Sequence, residues 1–153
     1  MPHFQIEYSA NIEDVVDIDA LCDAIRVSAA NVQTFPLAGI RVRAVRVEHF
    51  AIADGNPTHG FIDLSIRLRE GRPHDVKLDA LTVIFSALKN FMAKAMETRS
   101  IALSAEMRDI DNVFSAKFGN IRDNMEDSAS VSYTHLRAHE TRGNLVCRLL
   151  LEK

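Results

Sequence analysis

The chain is expected to fold as an α+β protein: a four-stranded sheet carrying two helices on one face, assembled from two β-α-β units. Three observations predict this. Apolar–polar alternation appears near both ends of the first half, at residues 4–8 and, with one slip, 40–47, and again at 61–69. Two stretches of helical spacing, 21–32 and 78–96, fall between successive strand-like runs, the last of which is 101–107. The length of 153 residues, with 47% hydrophobic and 25% charged residues, suits one domain with a real core.

The same figures exclude other classes. The composition is neither collagen-like nor disordered, and two cysteines, Cys22 and Cys147, are too few for a disulfide framework. No apolar run approaches the roughly 18 residues of a membrane span. The opening Met-Pro-His-Phe lacks the basic-then-apolar pattern of a signal peptide. A formal charge of −3 does not favour nucleic acid. The expectation is a soluble, cytoplasmic protein with neither a membrane nor a nucleic-acid partner.

Taken in order, Phe4, Ile6 and Tyr8 alternate with His3, Gln5 and Glu7, a strand that begins almost at the first residue. Asp17 or Asp19 can cap a helix whose apolar face is Leu21, Cys22, Ile25, Ala29 and Val32. Thr34-Phe35-Pro36 should end it, since a residue before proline is pushed out of the α region. Residues 39–48 form an alternating strand with Ile40, Val42 and Ala44 toward the core, and the phase slip at Ala44-Val45 suggests a bulge. Asp54-Gly55-Asn56-Pro57 is a turn.

Ile62, Leu64, Ile66 and Leu68 then define a strand over 61–69, closed by Glu70-Gly71-Arg72-Pro73. The clearest helix runs from Asp75 to Glu97, with Leu78, Leu81, Ile84, Phe85, Leu88, Phe91, Met92, Ala95 and Met96 at 3/4 spacing and Asp75 near its positive end. Residues 101–107 are the final strand, and 109–125 are polar and mixed. The second sheet face has no helix to cover it, yet Val45, Phe50 and Phe61 are expected on it. Such a face implies burial against other subunits.

Residues 131–153 do not continue this pattern. Val-Ser-Tyr-Thr-His-Leu-Arg-Ala-His-Glu-Thr (131–141) resembles a translated transposase-type sequencing adapter, and Asn-Leu-Val-Cys-Arg-Leu-Leu-Leu-Glu-Lys (144–153) resembles the translated flow-cell primer that follows it. The expected organisation is a domain over 1–130 and a non-native tail over 131–153. His135 and His139, at i, i+4, and Cys147 are therefore assigned no metal. Without Arg137, Arg142, Arg148, Lys153, Glu140 and Glu152 the formal charge moves from −3 to −5.

Chemistry concentrates at the start of the chain. Pro2 follows Met1 directly and abuts a strand. On its own, a small second residue signals only initiator-methionine removal. Held at a sheet edge, its freed secondary amine can act as a base near neutral pH when burial and nearby cations disfavour its protonated form. Arg41 and Arg72 supply cations, with Arg43, Arg46, Arg67 and Arg69 on neighbouring strands. Any one arginine can be a solvated strand edge, but a converging set receives carboxylates through bidentate bonds. His3 is a strand residue near the base, able to orient it, and Phe4 is core. His49, His59 and His74 read as surface turn or strand-end residues. No Ser/His/Asp set, phosphate loop or paired-cysteine metal motif occurs in 1–130.

Met-Pro-His-Phe-Gln-Ile-Glu-Tyr-Ser (1–9), Phe-Pro-Leu-Ala-Gly-Ile-Arg (35–41), Ala-Asp-Gly (53–55), Gly-Arg (71–72) and Met-Glu-Thr-Arg-Ser-Ile-Ala-Leu-Ser (96–104) resemble the 5-carboxymethyl-2-hydroxymuconate isomerases of the tautomerase superfamily. The likeness runs from residue 1 to about 125, in order and at the expected spacing. It implies a homotrimer with the active site at the subunit boundary, Pro2 as general base, Arg41 and Arg72 as substrate-binding residues, and no metal or organic cofactor. It implies ketonisation of an enol carboxylate in homoprotocatechuate breakdown. A tautomerase for another enol or 2-oxo acid, and a non-catalytic trimeric binding protein of this fold, are the alternatives.

Overall fold

The computed structural model describes residues 1–125. The expected tail, 131–153, lies outside the described residues, and His135, His139 and Cys147 with it. The described residues belong to two compact units, one spanning Met1–Lys117 and one beginning at Phe118. The described part of the second carries a single 3-10 turn, Arg122–Asn124.

In the first unit the order is β1 (His3–Ser9), α1 (Ile18–Ala30), β2 (Arg41–Val47), β3 (Gly60–Arg69), α2 (His74–Met96) and β4 (Ile101–Ile110). The sheet order is β2-β1-β3-β4. β1 and β2 are parallel across α1, β3 and β4 are parallel across α2, and the two halves meet through the antiparallel β1–β3 pair. This is the expected double β-α-β unit.

Alternation decides which side of the sheet is core. Phe4, Ile6, Ile62, Leu64, Ile66 and Leu68 are fully buried on the helix side. They pack with Leu21 and Ile25 of α1 and with Ile84, Leu88 and Met92 of α2 in one cluster. Burying side chains of this size is worth about 1.5–3 kcal/mol each, the dominant favourable contribution to the fold. Asp17 is the α1 cap, its Oδ1 accepting from the Ala20 N–H at 3.0 Å.

Four expectations change. First, β2 has no bulge: its register with β1 runs unbroken from His3↔Arg41 to Ser9↔Val47. Val45 is simply an apolar residue on the open face, 40% exposed. Second, α1 ends at Ala30, ahead of Phe35-Pro36. Phe35 turns inward instead and meets Phe4 edge-on, with ring centroids 5.9 Å apart. Third, Leu78 and Met96 follow the α2 periodicity but are exposed, because the buried line is the narrow run Ala80, Ile84, Leu88, Met92 and Ala95. Fourth, β4 continues to Ile110, pairing Arg69 with Ile110.

The open face is less apolar than expected. Cross-strand register sorts it into rows: Arg41, His3, Arg67 and Arg108; then Arg43, Gln5, Ser65 and Glu106; then Val45, Glu7, Asp63 and Ser104. Only the far end is aromatic, where Phe50 folds against Phe61 with centroids 6.1 Å apart. The basic row lies at the end where the chain begins.

Candidate active site

Pro2 is buried at the head of the central strand β1. Proline has no N–H, so it costs the sheet no donor at this position. Its carbonyl is used: the Arg41 backbone N–H donates to the Pro2 oxygen at 3.2 Å. Gly39 closes the other side. A Cβ there would lie 3.2 Å from Pro2 Cδ, 3.2 Å from Met1 Cα and 3.3 Å from Pro36 Cγ. Glycine lets the 37–39 turn approach this closely, and that approach fixes the Pro2 ring.

Arg41 opens β2 and lies beside His3 in the ladder. Its Nη1 donates to the Met1 Sδ at 3.2 Å, so the methionine side chain covers this guanidinium while Met1 is in place. Arg72 reaches the site from the turn before α2. Gly71 has φ +97°, a left-handed conformation that glycine adopts without penalty. The Arg72 guanidinium is then braced by two carbonyls, Nη1 donating to Arg69 O (2.9 Å) and Nη2 to Thr34 O (3.0 Å). Of five N–H donors, the Nε–H and one on each terminal nitrogen remain. The inward turn of Phe35 is what brings the Thr34 carbonyl to this position.

The electrostatics converge on the terminus. The terminal amine of Met1 is held below its ordinary value, first by burial and then by Lys117, Arg72, Arg69 and Arg41. His3 is likewise lowered, by burial and then by Arg41, Arg67 and Arg43, which keeps its imidazole neutral near pH 7. Among the described residues none of Arg41, Arg69, Arg72 and Lys117 has a carboxylate partner. Elsewhere the pattern differs: Arg46 meets Glu13 and Glu48, Lys77 meets Asp109, and Arg99 meets Asp14.

The three sequence candidates, Pro2, Arg41 and Arg72, are therefore gathered at one end of the sheet. Arg46 is not among them, being tied to Glu13 on the other face. Lys117 is not singled out by the sequence; Arg69 appears there only among the arginines of neighbouring strands, and Gly39 only within the 35–41 motif. Arg69 looks like any strand-end arginine, and Lys117 is remote in sequence from every motif. Of the histidines read as surface residues, His49 and His74 are exposed, whereas His59 is half-buried, with Nε2 3.1 Å from Asp54 Oδ1. Among the described residues no group of three or more His, Cys, Asp and Glu side chains converges as a metal site. No helix of the described residues is long and apolar enough to cross a membrane.

Chemically, cations without a carboxylate partner among the described residues surround a chain terminus whose amine is biased toward its neutral form. A neutral amine accepts protons, and unpaired guanidinium groups stabilise negative charge on whatever lies beside it. A double β-α-β subunit with proline directly behind Met1 at the head of its central strand has the architecture of a tautomerase-superfamily subunit.

The chain belongs to the 5-carboxymethyl-2-hydroxymuconate isomerase family, whose profile matches residues 2–125. It is 31% identical over 121 residues to the 5-carboxymethyl-2-hydroxymuconate Delta-isomerase of Escherichia coli, covering 79% of this chain and 96% of that one. A crystal structure of a 5-carboxymethyl-2-hydroxymuconate delta-isomerase superposes with a TM-score of 0.76 at 31% identity, over 80% of this chain and 91% of that one. The crystal structure of a 5-carboxymethyl-2-hydroxymuconate isomerase from Deinococcus radiodurans R1 gives 0.73 at 30%, over 80% and 92%.

Proposed function

We propose that this chain, once Met1 is removed, is a cofactor-free isomerase that converts 5-carboxymethyl-2-hydroxymuconate to its 2-oxo tautomer, with Pro2 as the general base and Arg41 and Arg72 as the carboxylate receptors. The observation that carries this reading is the set of unpaired cations around a buried second-residue proline. Family membership and the relatives' names support the substrate.

Removal of Met1 does two things at once. It turns the Pro2 amide into a secondary amine, and it takes the Met1 thioether off Arg41. The amine inherits the surroundings that lower the Met1 amine, burial first and then Lys117, Arg72, Arg69 and Arg41, and these disfavour its protonated form. It then takes the 2-hydroxyl proton of the enol. The oxygen lone pair becomes the ketone, the conjugated electrons move to C5, and a proton is delivered there. One proton leaves oxygen and one reaches carbon, so no oxidant, reductant or cofactor enters the balance. Negative charge builds along the diene in between, and the guanidinium groups of Arg41 and Arg72 stabilise it while holding the carboxylates. His3, neutral beside Arg41, orients the strand end and adds no charge.

The proposed assembly is a homotrimer that shares its sites across subunit boundaries; its support on the open sheet face is the apolar end at Val45, Phe50 and Phe61. The enzyme is taken as cytoplasmic, with a small polycarboxylate as its partner. The test is to incubate the mature protein, its mass checked for Met1 loss, with 5-carboxymethyl-2-hydroxymuconate and with a phenylpyruvate-type enol. Faster ketonisation of the first supports the reading. Preference for the second would make the protein a tautomerase of a different acid.

A further inference from the structure

We propose that Arg69 is a third guanidinium of this site and selects a tricarboxylate over the corresponding dicarboxylate. The inference rests on the functional reading above and adds a residue to it.

The placement follows from the ladder. β1 and β3 are antiparallel with His3 opposite Arg67. Two residues further along, the same register sets Met1 opposite Arg69. Arg69 therefore flanks the chain terminus from the β3 side, while Arg41 flanks it from the β2 side. Alternation along β3 puts Arg69 on the open face with Arg67, away from the core residue Leu68.

The side chain is held in a defined pose. Its Nε donates to Asn112 Oδ1 at 2.6 Å. Asn112 is fixed in turn, its backbone N–H donating to Glu70 Oε1 at 3.1 Å. The Glu70 N–H donates to Ile110 O at 3.3 Å, which closes the link between β3 and the end of β4. Among the described residues both terminal nitrogens of Arg69 lack a partner. A guanidinium anchored through Nε and bare at both terminal nitrogens presents the end-on fork that a carboxylate accepts. Arg72 is the complement, with one N–H of each terminal nitrogen braced by a carbonyl and its Nε–H without a partner among the described residues.

The chemistry of the ligand fits the count. A muconate skeleton has two carboxylates, and the carboxymethyl group is a third. Like-charged guanidinium groups gathered without an acidic partner repel one another, and a polyanion relieves that repulsion. Arg41, Arg69 and Arg72 match three carboxylates, whereas a dicarboxylate leaves one of them unmet.

The test uses the mature protein and its R69Q variant, with native folding confirmed by near-UV circular dichroism. R69K serves as a second variant that keeps the charge but loses the fork. Turnover is measured with 5-carboxymethyl-2-hydroxymuconate and 2-hydroxymuconate, and binding of the inert probes tricarballylate and glutarate by calorimetry. For R69Q we expect kcat/KM on the tricarboxylate to fall about 10- to 100-fold, mainly through KM. On the dicarboxylate, compared at a pH above the acid limb of both proteins so that the loss of one cation beside the terminal amine does not enter, the fall should be at least about 5-fold smaller, and R69K should recover part of the tricarboxylate loss. Tricarballylate affinity should fall and glutarate affinity should not. Equal losses on both classes, or no loss on either, overturn the proposal. If the wild type turns over neither diene while R69Q still loses tricarballylate selectively, the reaction fails and the Arg69 assignment stands.

Discussion

The Arg41 backbone N–H donates to the Pro2 carbonyl oxygen at 3.2 Å, so one hydrogen bond ties the second residue of the chain to a cation that faces it. The terminus is thus the first rung of a ladder, not a loose end. The Pro2 backbone cannot shift far without straining its bond to β2, and the same bond holds the Arg41 main chain beside the terminus.

Gly39 is the tightest test of that packing. Replacing it with alanine sets a methyl 3.2 Å from Pro2 Cδ and 3.3 Å from Pro36 Cγ, so the turn or the proline must give. We expect G39A to lose about 1–3 kcal/mol in urea denaturation, the usual cost of overpacking. We expect kcat/KM on the enol to fall about 10-fold or more, since small displacements of a catalytic group are costly.

The surrounding cations predict the direction of the pH profile. Burial, Lys117, Arg72, Arg69 and Arg41 all lower the amine of Met1, and the Pro2 amine freed beside them meets the same cations, which disfavour its protonated form. The base is active when unprotonated. Activity is therefore lost as pH falls through a value below the ordinary one for an α-amino group. Removing one cation in R72Q or K117Q raises the amine pKa, and the acid limb of kcat/KM should move to higher pH. A limb that stays fixed in both variants would show that the titrating group lies elsewhere.

Asp17 offers a control for stability without function. Its side chain caps α1 through the Ala20 N–H at 3.0 Å. D17A should cost about 1 kcal/mol. Thermal melting should show the loss while KM and kcat stay unchanged, since the cap belongs to α1 rather than to the terminus.

Much of this was legible in the residues, and the misses have physical reasons. β1 and β3 were clear because one face is wholly core, so Phe4, Ile6, Ile62, Leu64, Ile66 and Leu68 leave one phase possible. β2 is an edge strand with Val45 and Val47 on the open side, and apolar residues on both faces imitate a slipped phase. On α2, alanines at 80 and 95 narrow the buried line, which leaves Leu78 outside it. Pro2, Arg41 and Arg72 carried a local signal in a proline after Met1 and in arginines at a strand start and after a glycine. Lys117 carried none, and Arg69 only its membership of a set of strand arginines that included Arg43, Arg46 and Arg67. Arg69 gains its place from a register across β1 and a hydrogen bond to Asn112, 43 positions away. Such relationships exist only in the folded chain.

The central claim is that the amine of Pro2 moves the proton. The direct measurement compares the mature protein with its P2A variant, following loss of the enol absorbance of 5-carboxymethyl-2-hydroxymuconate, with intact mass confirming that Met1 is gone from both. The account predicts that P2A keeps its fold and oligomeric mass while kcat falls about 100-fold or more, the scale of a lost general base. Unchanged turnover in P2A, or full activity in a preparation that retains Met1, would contradict it.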